Sequence, residues 1–151
     1  MEKNLYLELR NRQQKRFDDF CYKYAFFAFS REQLLKGFKK LGITEEEAAD
    51  KLYSMGGGGY YLKEKAAEFN SIITLGDKER REAAADPETG DKYLFQMFYF
   101  ELNNHEYSYT GEMEETLDSL GYTLEDVKSD QRLAEALYKA SRQIMREADA
   151  E

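Results

Sequence analysis

Asp91–Asn104, DKYLFQMFYFELNN, is the stretch on which the fold turns. Tyr93, Leu94, Met97, Phe98, Phe100 and Leu102 recur at three- and four-residue steps and reach most of the way round a helix. A helix that is apolar on nearly every side belongs in the interior. The segment therefore predicts a central, buried helix. DPETGDK at 86–92 precedes it as a turn, and Pro87 also suits the first position of a new helix. Pro87 is the only proline in 151 residues, which favours long uninterrupted helices over a turn-rich β architecture.

Working outward, 4–20 reads as a helix of good formers with Leu5, Leu9, Phe17 and Phe20 at helical spacing. CYKYAFFAF at 21–29 is aromatic and strand-like in composition, but too short to separate a buried strand from a buried helical turn. Ser30 with Gln33 fits a capping box. Leu34, Leu35, Phe38 and Leu41 continue it as a stripe, and Gly42 is placed as a C-cap. Thr44 with Glu47 makes a second box, predicting a helix over 44–55. Gly56–Gly59 followed by Tyr60 and Tyr61 suggests a tight loop entering a strand. Residues 62–85 are helical in composition, with an interruption expected at Thr74–Gly76. Past the central helix, 105–111 reads as an aromatic loop. Thr110 or Gly111 caps the next helix, Gly121 ends it, Thr123 caps a short TLEDV helix, and a last helix occupies about 130–148. The expectation is a mainly α (α+β) chain. Residues 1–148 form one compact domain of about six helices, with at most a small β-hairpin around 21–29 and 53–62. Residues 149–151 form a frayed tail.

Composition narrows the function. Aromatics at 15% exclude a disordered chain. One cysteine, Cys21, excludes an internal disulfide framework and a cysteine zinc cluster, and one histidine, His105, excludes a multi-histidine metal site. No apolar run approaches the roughly 20 residues of a membrane span, and MEKNLYLELRNRQ lacks a signal-peptide core. The cytoplasm is the expected compartment. Net charge is −8 but unevenly spread: residues 1–43 hold ten Lys/Arg against five Asp/Glu, whereas 86–130 hold only Lys92 and Lys128 against twelve.

No catalytic motif emerges. Glu101 and His105 are four apart and share a helix face, yet Glu-x-x-x-His supplies only two metal ligands. A histidine at a helix C-terminus also serves the helix dipole. Cys21 in its aromatic run reads as a small packed hydrophobe rather than a nucleophile paired with His105. The glycine run lacks the Gly-Lys-Ser/Thr ending of a phosphate loop, and DPETGD lacks the twelve-residue calcium-loop pattern. The helix pair at 30–55 opens its second helix with three glutamates, which face phosphate unfavourably. Arg10, Arg12, Lys15 and Arg16 with Lys36, Lys39 and Lys40 could form a basic patch for weak nucleic-acid contact. The non-generic feature is 99–126, where carboxylates interleave with Tyr99, Tyr107, Tyr109 and Tyr122. Carboxylates spaced along helices and bounded by tyrosines imitate a phosphate ribbon and attract basic protein surfaces.

Three stretches, LRNRQQKRFDDF…FAFSREQLLKGFKKLG (9–42), KLYSMGGGGYYLKEK (51–65) and MFYFELNNHEYSYTGEMEETLDSLGYT (97–123), together resemble an uncharacterised family of small acidic proteins. That family occurs in bacterial phages, conjugative elements and their gut hosts. The resemblance implies a mobile-element setting and carries over no activity. Such elements often encode acidic inhibitors of host defence, of anti-restriction and anti-CRISPR type. The expected function is therefore a non-enzymatic interaction module. Its partner-binding residues are Glu101, Glu106, Tyr107, Tyr109, Glu112, Glu114, Glu115 and Asp118. Its partner is a basic protein such as a nuclease, without direct specific nucleic-acid binding, membrane, metal or cofactor. The alternatives are a small metal-binding protein or enzyme built on Glu101 and His105, or a structural accessory protein.

Overall fold

The computed structural model describes residues 3–150. Among them are nine helices and three short strands: α1 (Leu5–Tyr24), β1 (Ala25–Phe27), α2 (Arg31–Leu41), α3 (Ala48–Lys51), β2 (Leu52–Gly56), β3 (Gly59–Leu62), α4 (Ala66–Ala85), α5 (Gly90–Asn104), α6 (Tyr107–Thr110), α7 (Glu114–Leu120), α8 (Leu124–Lys128) and α9 (Gln131–Ala150). The architecture is mainly α, as expected. The helix count exceeds six because α3, α6 and α8 are single turns of four or five residues. Helix α9 runs to Ala150, and residue 151 of the expected tail lies outside the described residues. No helix among the described residues is long and apolar enough to cross a membrane.

The described residues fall into two compact units, 3–10 with 79–150, and Asn11–Lys78. The first is built round α5. Phe98, Leu94 and Leu102 are fully buried there, and the inner stripe of α9 (Leu133, Ala136, Leu137, Ala140, Ile144) packs with them in one cluster. Tyr6 and Leu9 of α1 belong to the same cluster. Residues 5–9 are seated by a reciprocal clamp: Leu5 N–H donates to the Gln96 side-chain oxygen at 2.8 Å, and the Gln96 amide donates to the Lys3 carbonyl at 3.0 Å. This satisfies an orphan donor of the first helical turn.

The second unit holds an antiparallel sheet in the order β1-β3-β2. The hairpin β2–β3 turns at Gly57–Gly58, both with positive φ, and β1 widens it, pairing Ala25 with Tyr61 and Phe27 with Gly59. Gly37 of α2 admits the ring of Phe26: a Cβ there would lie 2.1 Å from it. Phe20, Ala25 and Tyr61 form the core of this unit, with Phe69 stacked on Tyr61 at 4.3 Å.

Local signals hold at α2. The Ser30 hydroxyl accepts from Gln33 N–H, and Gly42 closes the helix in the left-handed region. The 44–55 helix is corrected. Thr44 and Glu47 do exchange both capping hydrogen bonds. The Lys51 ammonium first, and then Thr44, hold the Glu47 carboxyl down to about 2. The helix nevertheless stops at Lys51, because Leu52–Gly56 pairs with β3. The interruption expected at Thr74–Gly76 is absent, since α4 is continuous. The 105–111 segment is not all loop, as it winds into α6. Helix α7 starts after Met113, not Thr110 or Gly111: Thr110 instead accepts from Glu112 N–H in a local turn at 3.1 Å.

Burial raises the phenol of Tyr93 to about 12, with Tyr122 adding to it, and burial also raises Tyr6 and Tyr122. In the unfolded chain these phenols ionise near 10. A raised folded value means the stabilisation is complete below pH ~10 and is lost as pH climbs toward ~12. Melting temperature is therefore expected to fall across that interval, with phenolate absorbance appearing together with loss of helical signal. Ionisation of all twelve tyrosines near pH 10 with the fold intact contradicts this account.

Candidate functional site

The eight residues singled out in the sequence lie on α5, α6, α7 and the links between them, all within one unit. The link after α5 sets their display. His105 caps α5, and Glu106 then adopts a left-handed conformation, φ 58°. A non-glycine residue there is strained, and the strain ends α5 and starts α6 in a new direction. Gly111, also left-handed, ends α6.

Seven of the eight reach the surface to some degree. Glu106, Glu112, Glu114, Glu115 and Asp118 are exposed, Tyr109 is 88% exposed, and Tyr107 is half-buried against the core of the unit. Among the described residues, none of the five exposed carboxylates has a Lys or Arg within ion-pair distance. The sequence explains why: no Lys or Arg occurs between Lys92 and Lys128. Glu125 and Asp126 of α8 extend the acidic series. Asp126 is held below the usual carboxylate range first by the Thr123 backbone N–H and then by its hydroxyl; the Asp126 N–H donates to the Thr123 hydroxyl in return, so the expected Thr123 cap is a full capping box.

Glu101 departs from the set. It is buried, and its carboxylate accepts a 2.5 Å hydrogen bond from the Tyr6 hydroxyl and a longer one, 3.4 Å, from the Asn104 amide. It faces the core of its unit, so the outward acidic face consists of the other residues. Tyr6, a functional neighbour that sequence reasoning missed, lies 95 positions away, and no local pattern announces it.

The Glu101–His105 arrangement is that of a helix end. Nδ1 of His105 lies 2.8 Å from the backbone carbonyl of Glu101, not from its carboxylate. Among the described residues no group of three or more His, Cys, Asp or Glu is placed to hold a metal ion. Cys21 is half-buried in the other unit, its thiol raised first by burial and then by Asp18. A raised thiol is a poor nucleophile.

A family model matches residues 5–143. The chain belongs to DUF7659, a family of unknown function. The match spans both units and includes all eight residues. No curated protein and no solved structure matches the chain.

Proposed function

We propose that this protein is a non-enzymatic interaction protein whose acidic face occupies a basic, nucleic-acid-binding surface on another protein. The observation that carries the reading is the face itself: Glu106, Glu112, Glu114, Glu115 and Asp118 are exposed and, among the described residues, have no Lys or Arg within ion-pair distance, and Tyr109 between them is almost wholly exposed. Unpaired carboxylates keep their full field for a partner, and that field steers association most strongly at low salt. An exposed tyrosine is the residue type that anchors interfaces. Paired with the resemblance to proteins of phages and conjugative elements, the reading becomes an inhibitor of a host-defence nuclease, of anti-restriction or anti-CRISPR type. The partner's own nucleic acid is then the competitor.

Changing Glu112, Glu114 and Glu115 together to lysine is expected to abolish capture of the partner from host lysate while far-UV circular dichroism stays unchanged. The captured wild-type partner should be a basic protein, released at high salt and by added nucleic acid. Equal capture by the triple variant removes the basis for the reading.

A further inference from the structure

The 11–78 unit carries a second surface of opposite character. Its sheet has two ends. One is the Gly57–Gly58 turn. At the other, Ala25 pairs with Tyr61 and Leu52 with Leu62, so the residues flanking these positions gather there: Tyr22, Lys23 and Tyr24 before β1, Lys51 before β2, and Lys63 and Lys65 after β3. Lys40 reaches the same end, because its Nζ donates to the carbonyls of Ala25 at 2.7 Å and Cys21 at 3.1 Å.

Lysines and tyrosines are interleaved at this end. The Lys40 ammonium lies 5.8 Å from the ring centre of Tyr22, that of Lys63 5.0 Å from Tyr53, and that of Lys65 4.6 Å from Tyr24. Among the described residues Lys23, Lys40, Lys63 and Lys65 have no carboxylate within ion-pair distance. The nearby acids on these segments are Asp18, which accepts from Gln14, Asp19, which is taken by Lys15, Glu47, which is taken by Lys51, and Asp50 and Glu64. Tyr22 is 80% exposed, and Tyr53, whose ring also meets that of Tyr61 at 5.8 Å, is 46% exposed. The patch differs from the basic one read in the sequence. There Lys15 is spent on Asp19 and Lys36 on Glu32, while Arg10 belongs to the other unit and covers the ring of Phe100 within it.

An ammonium over one face of a tyrosine leaves the other face open, and it sets a positive charge at the rim of whatever stacks there. An anion with its own flat rings uses both features at once. Acidic peptides use only the lysines. We infer that this end of the sheet binds single-stranded nucleic acid without sequence preference, bases stacking on Tyr22 and Tyr53 and phosphates meeting Lys23, Lys65 and the donors left on Lys40 and on Lys63, whose Nζ also donates to the Ala49 carbonyl at 3.3 Å. The surface is independent of the acidic face. One chain then carries an element that takes the place of nucleic acid and another that holds it.

The test is fluorescence anisotropy of a labelled oligothymidylate of about 15 nucleotides, within the span such sites cover, titrated with the full chain. Binding is expected, weakening about 50-fold from about 50 to about 200 mM salt for four phosphate contacts. The pair Tyr22→Ala and Tyr53→Ala is expected to weaken it at least about tenfold. The pair Lys63→Gln and Lys65→Gln, half-buried positions outside either core cluster, should weaken binding and flatten the salt dependence, guarding against misfolding of the ring variant. Absence of binding at the lower salt overturns the inference. So does binding that neither pair alters, or displacement of the oligonucleotide by polyglutamate as readily as by unlabelled oligothymidylate, which would mark an acidic-peptide site. The partner capture that tests the acidic face stands or falls separately.

Discussion

Truncating Phe98 to alanine is expected to lower the stability of its unit by about 3–5 kcal/mol. The ring is completely buried at the centre of α5, 6.2 Å from Tyr122 and inside the cluster that joins α5, α9 and the first residues of α1. No side chain at that position can be removed without leaving a cavity bounded by helices on several sides, and close-packed interiors relax only partly. Urea denaturation followed by circular dichroism measures it. The midpoint should drop sharply, and the acidic face carried by α6 and α7 should lose its partner in the same samples. A midpoint that hardly moves shows that the interior round α5 is loosely packed.

The second large effect belongs to Tyr6. Its hydroxyl is the close donor to the buried carboxylate of Glu101, at 2.5 Å, and the Asn104 amide at 3.4 Å is a poor substitute. Tyr6→Phe keeps the ring and removes the donor. The expected loss is about 2–3 kcal/mol, the scale for a hydrogen bond to a charged group whose partner is left buried. Glu101→Leu removes the charge as well as the bond, so the double variant Tyr6→Phe with Glu101→Leu should be more stable than Tyr6→Phe alone. A double-mutant cycle reads the coupling directly. Additive effects contradict the pairing. Neither change touches the outward carboxylates, so partner capture by folded protein should persist in both.

Much of this arrangement is legible in the chain, and the failures have physical causes. Helix α2 is readable end to end because its cap, stripe and C-terminal glycine are all local. Helix α5 is readable because Leu94, Met97, Phe98 and Leu102 mark one inward face. The same spacing puts Glu101 with them, three after Phe98 and four after Met97. The chemistry of a carboxylate points outward, whereas the position of Glu101 on the helix places it inside. The Tyr6 partner that makes this tolerable is a long-range fact that helical periodicity does not carry. At 44–55 the local box formed as expected, but pairing across the sheet, Tyr53 opposite Tyr61, decided the conformation of the second half. The exposed acidic face was readable because the absence of lysine and arginine from 93 to 127 is itself a sequence property. The lysine–tyrosine end of the sheet was not, since it draws on residues 22–24, 40, 53 and 63–65, which only strand pairing brings together.

The unit built round α5 is discontinuous: residues 3–10 belong with 79–150, and the whole of 11–78 intervenes. Translation delivers these pieces in order, at about 5–20 residues per second. Tyr6 and Leu9 leave the ribosome long before Tyr93, Phe100 and Glu101, which Tyr6 meets, and before Phe98 and Ile144 of the same cluster. Every residue of the intervening unit is out of the tunnel earlier than those partners. Through that interval of several seconds the first turns of α1 carry an apolar stripe with nothing to cover it, so slowed elongation over 79–144 prolongs the time in which a nascent chain offers that stripe to chaperones.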